Sequence, residues 1–152
     1  VTLLETLAFG QDYAEQVIKN AKTLAMHLNN EGFSVCAKSL GYTESHQILV
    51  NVRDLGGGAE VAKKLETANI ICNKNTLFGD DEKTALKNPS GLRLGTQELT
   101  RFGMKEQDMK YIAELYARLL INKENEKKIK EEVIQFRKNY NQIHYCFNED
   151  SF

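Results

Sequence analysis

The sequence predicts an α/β chain of the α+β two-layer sandwich class, in which a small, mostly antiparallel sheet is covered by helices. Two observations predict this class. Towards both ends of the chain apolar residues recur at helical spacing, and between them lie short runs rich in branched residues. Strands that are few and interleaved with helices favour a small sheet with helices on one side. The length of 152 residues suits one domain.

The first helix is predicted over residues 2–30, because an apolar stripe from Ala14 to Leu28 repeats at spacings of three and four. Gly10 is expected to break or bend this helix, and Gly32 to cap its C-terminal end. The start of the helix, residues 3–9, is unusually apolar. We expect it to pack on a partner domain outside this chain.

Two strands are predicted next, over residues 33–36 and 47–52. Three glycines at 56–58 then open a helix whose apolar face runs from Val61 to Ala68. The branched pair in residues 70–72 predicts a further strand, which ends at a polar stretch.

The second half begins with a predicted loop over residues 78–90, which hold glycine, aspartates and the only proline. A strand over residues 92–94 and a helix over residues 109–120 follow. An apolar stripe from Ile129 to Ile143 then fits either a coiled-coil seam or a terminal helix lying on its own domain, and its short length favours the second. The mixed charges of residues 123–132 predict a solvated helix face.

Composition limits the kinds of partner that the chain is expected to bind. With 20 basic and 21 acidic residues the formal charge is −1, so no global field favours nucleic acid or an anionic membrane. No apolar run approaches the roughly 20 residues that span a bilayer. Cys36, Cys72 and Cys146 form no Cys-x-x-Cys pair, which predicts reduced thiols in a cytoplasmic protein and no metal site. A start at Val1 without methionine reads as part of a longer protein.

Arg93 is the most informative position for binding. In a strand, Leu92 and Leu94 point to the core and Arg93 to the opposite face, where Gly91 and Gly95 carry no side chain. An arginine in cleared space can offer a carboxylate two parallel hydrogen bonds. Spacing alone, however, favours an ordinary surface arginine.

Two polar or glycine-rich stretches are weaker candidates. Residues 73–76 hold two asparagines, and asparagine can both donate and accept hydrogen bonds, which suits a ring with mixed amide edges such as a pterin. A polar turn with left-handed asparagine is the simpler interpretation. The glycines at 56–58 could cradle a phosphate at a helix N-terminus. Because no phosphate-loop motif follows them, a flexible turn into the helix is favoured.

Five segments, in this order, resemble the serine hydroxymethyltransferase family. They are residues 13–22 (Tyr-Ala-Glu-Gln-Val-Ile-Lys-Asn-Ala-Lys), 45–50 (Ser-His-Gln-Ile-Leu-Val), 70–76 (Ile-Ile-Cys-Asn-Lys-Asn-Thr), 90–96 (Ser-Gly-Leu-Arg-Leu-Gly-Thr) and 100–105 (Thr-Arg-Phe-Gly-Met-Lys). Each motif is short, but the ordered set is specific. The chain is therefore similar to the C-terminal small domain of that family.

The resemblance implies a fold-type-I enzyme that uses pyridoxal 5′-phosphate, interconverts serine and glycine, and passes one carbon to a reduced pterin. It implies a linker helix at 1–31 and a small domain with a helical tail at 32–152. In the family, the arginine matching Arg93 binds the amino-acid carboxylate, and the asparagine matching Asn75 lies near the pterin carrier. The segment 84–88 is similar in placement to a loop lining the carrier site.

The resemblance also has gaps. Gln97 stands where a proline usually follows the Gly-Thr pair, and residues 77–80 lack another common proline, so the sequence resembles the archaeal branch. The carrier could then be tetrahydrofolate or tetrahydromethanopterin. The lysine, aspartate and histidine that hold pyridoxal phosphate belong to the family's large domain, so this chain is expected to hold no catalytic residue and to be inactive alone. Family members are generally at least dimers, and a homodimer is expected. The alternative is a stand-alone α/β module that binds small molecules or proteins.

Overall fold

The computed structural model describes residues 2–148, so Val1 and residues 149–152 of the predicted domain lie outside the described part. The helices, in chain order, are α1 (Thr2–Asn30), α2 (Gly58–Thr67), α3 (Glu82–Lys87), α4 (Gln97–Arg101), α5 (Glu106–Leu120) and α6 (Glu126–Arg137). The strands are β1 (Ser34–Val35), β2 (Gln47–Asn51), β3 (Asn73–Asn75) and β4 (Gly91–Gly95). Two short 3-10 turns, Lys38–Leu40 and Arg53–Leu55, flank β2.

The four strands form one sheet in the order β1-β2-β4-β3, and every neighbouring pair is antiparallel. The strand β4 is therefore central, with β2 on one side and β3 on the other. The predicted class, a small antiparallel sheet with helices, is confirmed.

One face of the sheet is covered by helices. Four branched side chains of β2 and β4 point to this face, and these four are buried: Ile48, Val50, Leu92 and Leu94. Helices α1 and α5 pack closely on each other, and α1 and α2 also contact the sheet. Removing this apolar surface from water is the main force holding the two layers together.

The first helix is continuous over 29 residues, and Gly10 lies within it. The expected break at Gly10 is wrong, since one glycine costs a helix interior only about 1 kcal/mol. The predicted end is confirmed: Gly32 has a φ of 97°, and the Phe33 N–H bonds the Leu28 carbonyl at 3.0 Å. The apolar start of α1 is exposed, with Leu7 at 76%.

Two of the predicted segments differ from the structure, and α4 (Gln97–Arg101) was not predicted at all. The strand expected at 70–72 lies instead at Asn73–Asn75, because pairing with β4 decides its position, and Ile71 is 77% exposed. The expected loop at 78–90 contains α3 (Glu82–Lys87), whose first turn is capped by the Asp81 carboxylate accepting the Thr84 N–H at 2.7 Å.

The last apolar stripe packs on its own domain, as the favoured interpretation predicted. Ile129 is fully buried, and the Phe136 ring centroid lies 4.8 Å from that of Tyr111 on α5. Helix α6 ends at Arg137, so Ile143 lies beyond it and is exposed. No helix in the part described has the length and apolarity needed to span a membrane.

Candidate functional site

The second face of the sheet carries no layer of described helices and is mostly polar. Paired residues share a face, so the register places the following side chains together on this open face: Ser34, Gln47, Leu49, Asn51, Asn73, Asn75 and Arg93. The two candidate residues predicted from the sequence, Arg93 and Asn75, therefore lie on one surface.

Arg93 occupies the middle of the open face. It is exposed, while its strand neighbours Leu92 and Leu94 are buried, so the predicted alternation is confirmed. Its cross-strand partners are Leu49 on β2 and Asn73 on β3.

The Arg93 guanidinium has no hydrogen bond or ion pair to any residue from 2 to 148. The other four arginines each have a partner: Arg53 pairs with Asp80, Arg101 with Glu5, Arg118 with Glu124 and Glu132, and Arg137 stacks on Phe102. Among the residues described, Arg93 thus has neither a hydrogen-bond acceptor nor an aromatic partner, and its donors remain available for an anion.

The glycine positions beside Arg93 are not bare. A β-carbon on Gly91 would lie 2.6 Å from Leu77 Cγ, and one on Gly95 would lie 2.5 Å from Gln97 Oε1. The expectation of cleared space is therefore wrong: Leu77 fills one side and Gln97 the other. The two glycines leave room for these side chains, which bound the space around Arg93.

Asn75 lies one diagonal step from Arg93, since Asn75 pairs with Gly91 and Asn73 with Arg93. Its Nδ2 donates to the Thr76 carbonyl at 2.6 Å, and its side-chain oxygen has no partner within the described chain. The polar-turn interpretation is wrong, because residues 73–75 are strand and the left-handed asparagine is Asn69, with a φ of 60°.

Asp80 was not found from the sequence, yet it holds the connection between β3 and β4. One carboxylate oxygen accepts the N–H groups of Leu77 at 3.0 Å and Ser90 at 2.9 Å. The other accepts the Ser90 hydroxyl and Arg53 Nη2, the latter at 3.1 Å. These donors, the Ser90 hydroxyl first, hold the pKa of Asp80 well below its usual range.

The three glycines at 56–58 allow the start of α2 to lie close to the backbone of the segment before β4. The Gly58 N–H donates to the Pro89 carbonyl at 2.6 Å, and the Ala59 N–H donates to Asn88 Oδ1 at 2.8 Å. A β-carbon on Gly58 would lie 2.8 Å from the same Pro89 oxygen. Because these first N–H groups of α2 are already bonded, this turn does not offer them to a phosphate, and the favoured interpretation of a turn is confirmed.

The three cysteines are free and half-buried, and burial raises the pKa of the Cys72 thiol to about 11. A thiol with so high a pKa stays protonated and is a poor nucleophile. No cluster of three or more metal-ligating side chains occurs among residues 2–148.

The open face fits an anion better than it fits an aldehyde cofactor. A Schiff base needs an amine, and the lysine of these strands, Lys74, pairs with Leu92 and so points away from the open face. The guanidinium of Arg93, by contrast, matches a carboxylate in shape and charge.

The model of the family described as serine hydroxymethyltransferase matches residues 5–116. The chain belongs to the serine hydroxymethyltransferase family. The matched range includes β3 and β4, and hence both Asn75 and Arg93.

Relatives of the same name agree with this assignment. The serine hydroxymethyltransferase of Staphylothermus marinus is 55% identical over 97% of this chain and 33% of its own length. That of Methanocella arvoryzae is 51% identical over 99% of this chain and 35% of its own length. Both organisms are archaeal, so the predicted likeness to the archaeal branch is confirmed. The chain spans about a third of the length of these relatives.

A solved structure gives the fold independently. The L-threonine transaldolase of Pseudomonas fluorescens, solved in its internal aldimine state, is 31% identical with a TM-score of 0.83. The match covers 97% of this chain and 34% of that one. The fold is therefore that of part of a fold-type-I enzyme.

Proposed function

We propose that this chain is the C-terminal small domain, with its linker helix, of a serine hydroxymethyltransferase that interconverts serine and glycine and transfers one carbon to a reduced pterin. Family membership and archaeal relatives of that name support the proposal. The alternative of a stand-alone binding module gains no support from these relatives.

The observation that carries the proposal is the unpaired guanidinium of Arg93 on the open face. An arginine without a protein partner keeps its full capacity for a bidentate bond to an amino-acid carboxylate. A hydrogen bond to a charged group is worth about 1.5–3 kcal/mol net. Leu77 and Gln97 limit the directions from which a ligand can approach. Arg93 would thus fix the substrate by its carboxylate and set its orientation.

Asn75 is proposed to contact the pterin carrier. Its free side-chain oxygen can accept from an N–H of the ring, and its place beside Arg93 puts carrier and amino acid on the same face. Residues 84–88, in and after α3, would line the same site. The carrier is tetrahydrofolate or tetrahydromethanopterin.

Pyridoxal 5′-phosphate would be held by the other part of the longer protein, since the open face here offers no lysine among the described residues. When bound, the cofactor supplies the electron sink for bond cleavage at the amino acid. The contribution of this chain is to bind and orient the carboxylate. We accordingly propose that the chain alone is inactive, and that the complete enzyme is a cytoplasmic homodimer.

Substitution of Arg93 in a full-length protein containing this chain tests the proposal. Arg93→Ala should raise KM for serine by about tenfold or more, because a charge-assisted carboxylate bond is lost. Arg93→Lys should rescue little, since an ammonium cannot reproduce the planar fork. The absorbance of the bound cofactor should stay unchanged in both.

The exposed Lys130 on α6 provides the control for a lost positive charge. Lys130→Ala should leave the kinetics unaltered. If Arg93→Ala and Lys130→Ala have the same KM, Arg93 is not part of the amino-acid site.

A further inference from the structure

Asp80 is a buried carboxylate for which the proposed reaction has no direct use. Its side chain is 0% exposed, although it lies in a connection whose tip, Phe78, is fully exposed. Four donors converge on it: two backbone N–H groups, one hydroxyl and one guanidinium. A buried carboxylate is tolerated only when its oxygens are hydrogen-bonded, so these four bonds fix the positions of their donors around Asp80.

The four bonds join both ends of the β3–β4 connection. Leu77 follows β3 closely, and Ser90 immediately precedes β4. Arg53 contacts both partners of the Asp80–Ser90 hydrogen bond, because its Nη2 donates to Asp80 and its Nε donates to the Ser90 hydroxyl at 3.0 Å. Ser90 is also bonded to the end of β2, because the Val52 N–H donates to the Ser90 carbonyl at 2.8 Å.

The hydrogen bonds of Asp80 affect the open face through the contact between Leu77 and Gly91. Leu77 is held by its N–H to Asp80 and lies directly over Gly91. Gly91 pairs with Asn75 on one side and Asn51 on the other, and Arg93 stands two residues further along β4. A shift of Leu77 would thus alter the wall beside Arg93 and the strand that carries Asn75.

We propose that Asp80 is a positioning residue for the amino-acid site, holding Leu77 and Ser90 so that the wall beside Arg93 keeps its shape. This inference rests on the proposed function. Asp80 acts through Leu77 and Gly91, and it does not touch the substrate itself. When a substitution away from the reacting atoms displaces the substrate by about 1 Å, catalytic efficiency can fall by up to a hundredfold.

The test uses the full-length holoenzyme and serine as the probe. Asp80→Ala should raise KM for serine by about fivefold or more. It should also speed hydrogen exchange at the Leu77 and Ser90 amides, whose acceptor it removes. Asp80→Asn keeps one acceptor oxygen and should give a smaller rise. Asp81→Asn is the matched control, because Asp81 is the neighbouring exposed carboxylate and asparagine caps a helix equally well.

A purely structural role would lower the amount of folded enzyme and leave KM of the folded fraction unchanged. An unchanged KM in folded Asp80→Ala therefore overturns the inference; if that variant fails to fold, the KM of Asp80→Asn decides in the same way. Arg93→Ala is measured in parallel. An effect of Arg93→Ala without one of Asp80→Ala overturns only the role of Asp80, whereas no effect of Arg93→Ala removes the proposed function.

Discussion

The side chain of Leu77 lies on Gly91, so close that a β-carbon at position 91 would come within 2.6 Å of Leu77 Cγ. This contact joins a residue of the β3–β4 connection to the central strand of the sheet. It also explains a glycine in a strand, where a residue without a side chain usually weakens pairing. The space above Gly91 is occupied by another part of the chain.

Gly91→Ala should destabilise the protein by about 1–3 kcal/mol, the usual cost of an added methyl group in a filled space. The free energy of unfolding, from denaturant titration, measures it. Gly10→Ala is the contrasting variant, since Gly10 lies in a helix and its β-carbon would meet only the Thr6 methyl, at 3.3 Å. That change should stabilise by up to about 1 kcal/mol. Equal effects of the two substitutions would contradict the contact.

Asn20→Ala should be among the most damaging single changes in α1. Asn20 is fully buried, and its Nδ2 donates to Thr100 Oγ1 at 2.8 Å and to the Met104 carbonyl at 2.9 Å. Removing the amide leaves a buried carbonyl without a donor, and we expect a loss of about 2–3 kcal/mol. Chemical unfolding checks this value. Asn30→Ala, at the exposed end of the same helix, should change stability little.

Arg118 and Glu132 should show positive coupling in a double-mutant cycle. Two N–H groups of Arg118 contact the Glu132 carboxylate at 2.7 and 2.8 Å, joining α5 to α6. These bonds hold the pKa of Glu132 below its usual range. We expect a coupling of about 1 kcal/mol from Arg118→Ala and Glu132→Gln, decreasing with added salt. Coupling indistinguishable from zero at low salt would show that this ion pair does not help to hold α6 on α5.

Asp80 should make stability depend on pH. Its folded pKa is lowered, so the stabilisation that it contributes is fully present above the ordinary aspartate pKa of about 3.9. The contribution is lost as pH falls below that value towards the lowered one. The difference in unfolding free energy between the native sequence and Asp80→Asn should therefore shrink from about pH 6 to about pH 3. A difference that stays constant over this range would show that Asp80 titrates normally.

The longer helices and the two inner strands could be read from the sequence because their apolar periodicity reflects burial. The short helices α3 and α4 bury almost no apolar side chain and could not be read in this way. The stripe of α1 and the alternation around Arg93 both face the layer between helices and sheet. The start of β3 could not be read in this way. Ile71 has the residue type of a strand but is exposed, while the polar residues 73–75 pair with β4. Pairing with a distant strand has no local signature.

The candidate site was predicted in part. Alternation placed Arg93 on the outward face, and the ordered motifs pointed to Asn75. The roles of Leu77, Gln97 and Asp80 depend on contacts across the β3–β4 connection, which residue types alone do not reveal. One local signal was present for α3: Asp81 is of a residue type preferred at a helix N-cap, and the acidic Glu82 follows it in the first turn.

The two ends of the described chain meet. The Phe147 N–H donates to Glu5 Oε1 at 3.3 Å, and the Phe9 and Phe147 rings lie 5.2 Å apart. The segment that follows α6 is therefore fastened to α1, and any movement of α1 relative to the sheet would carry that segment with it.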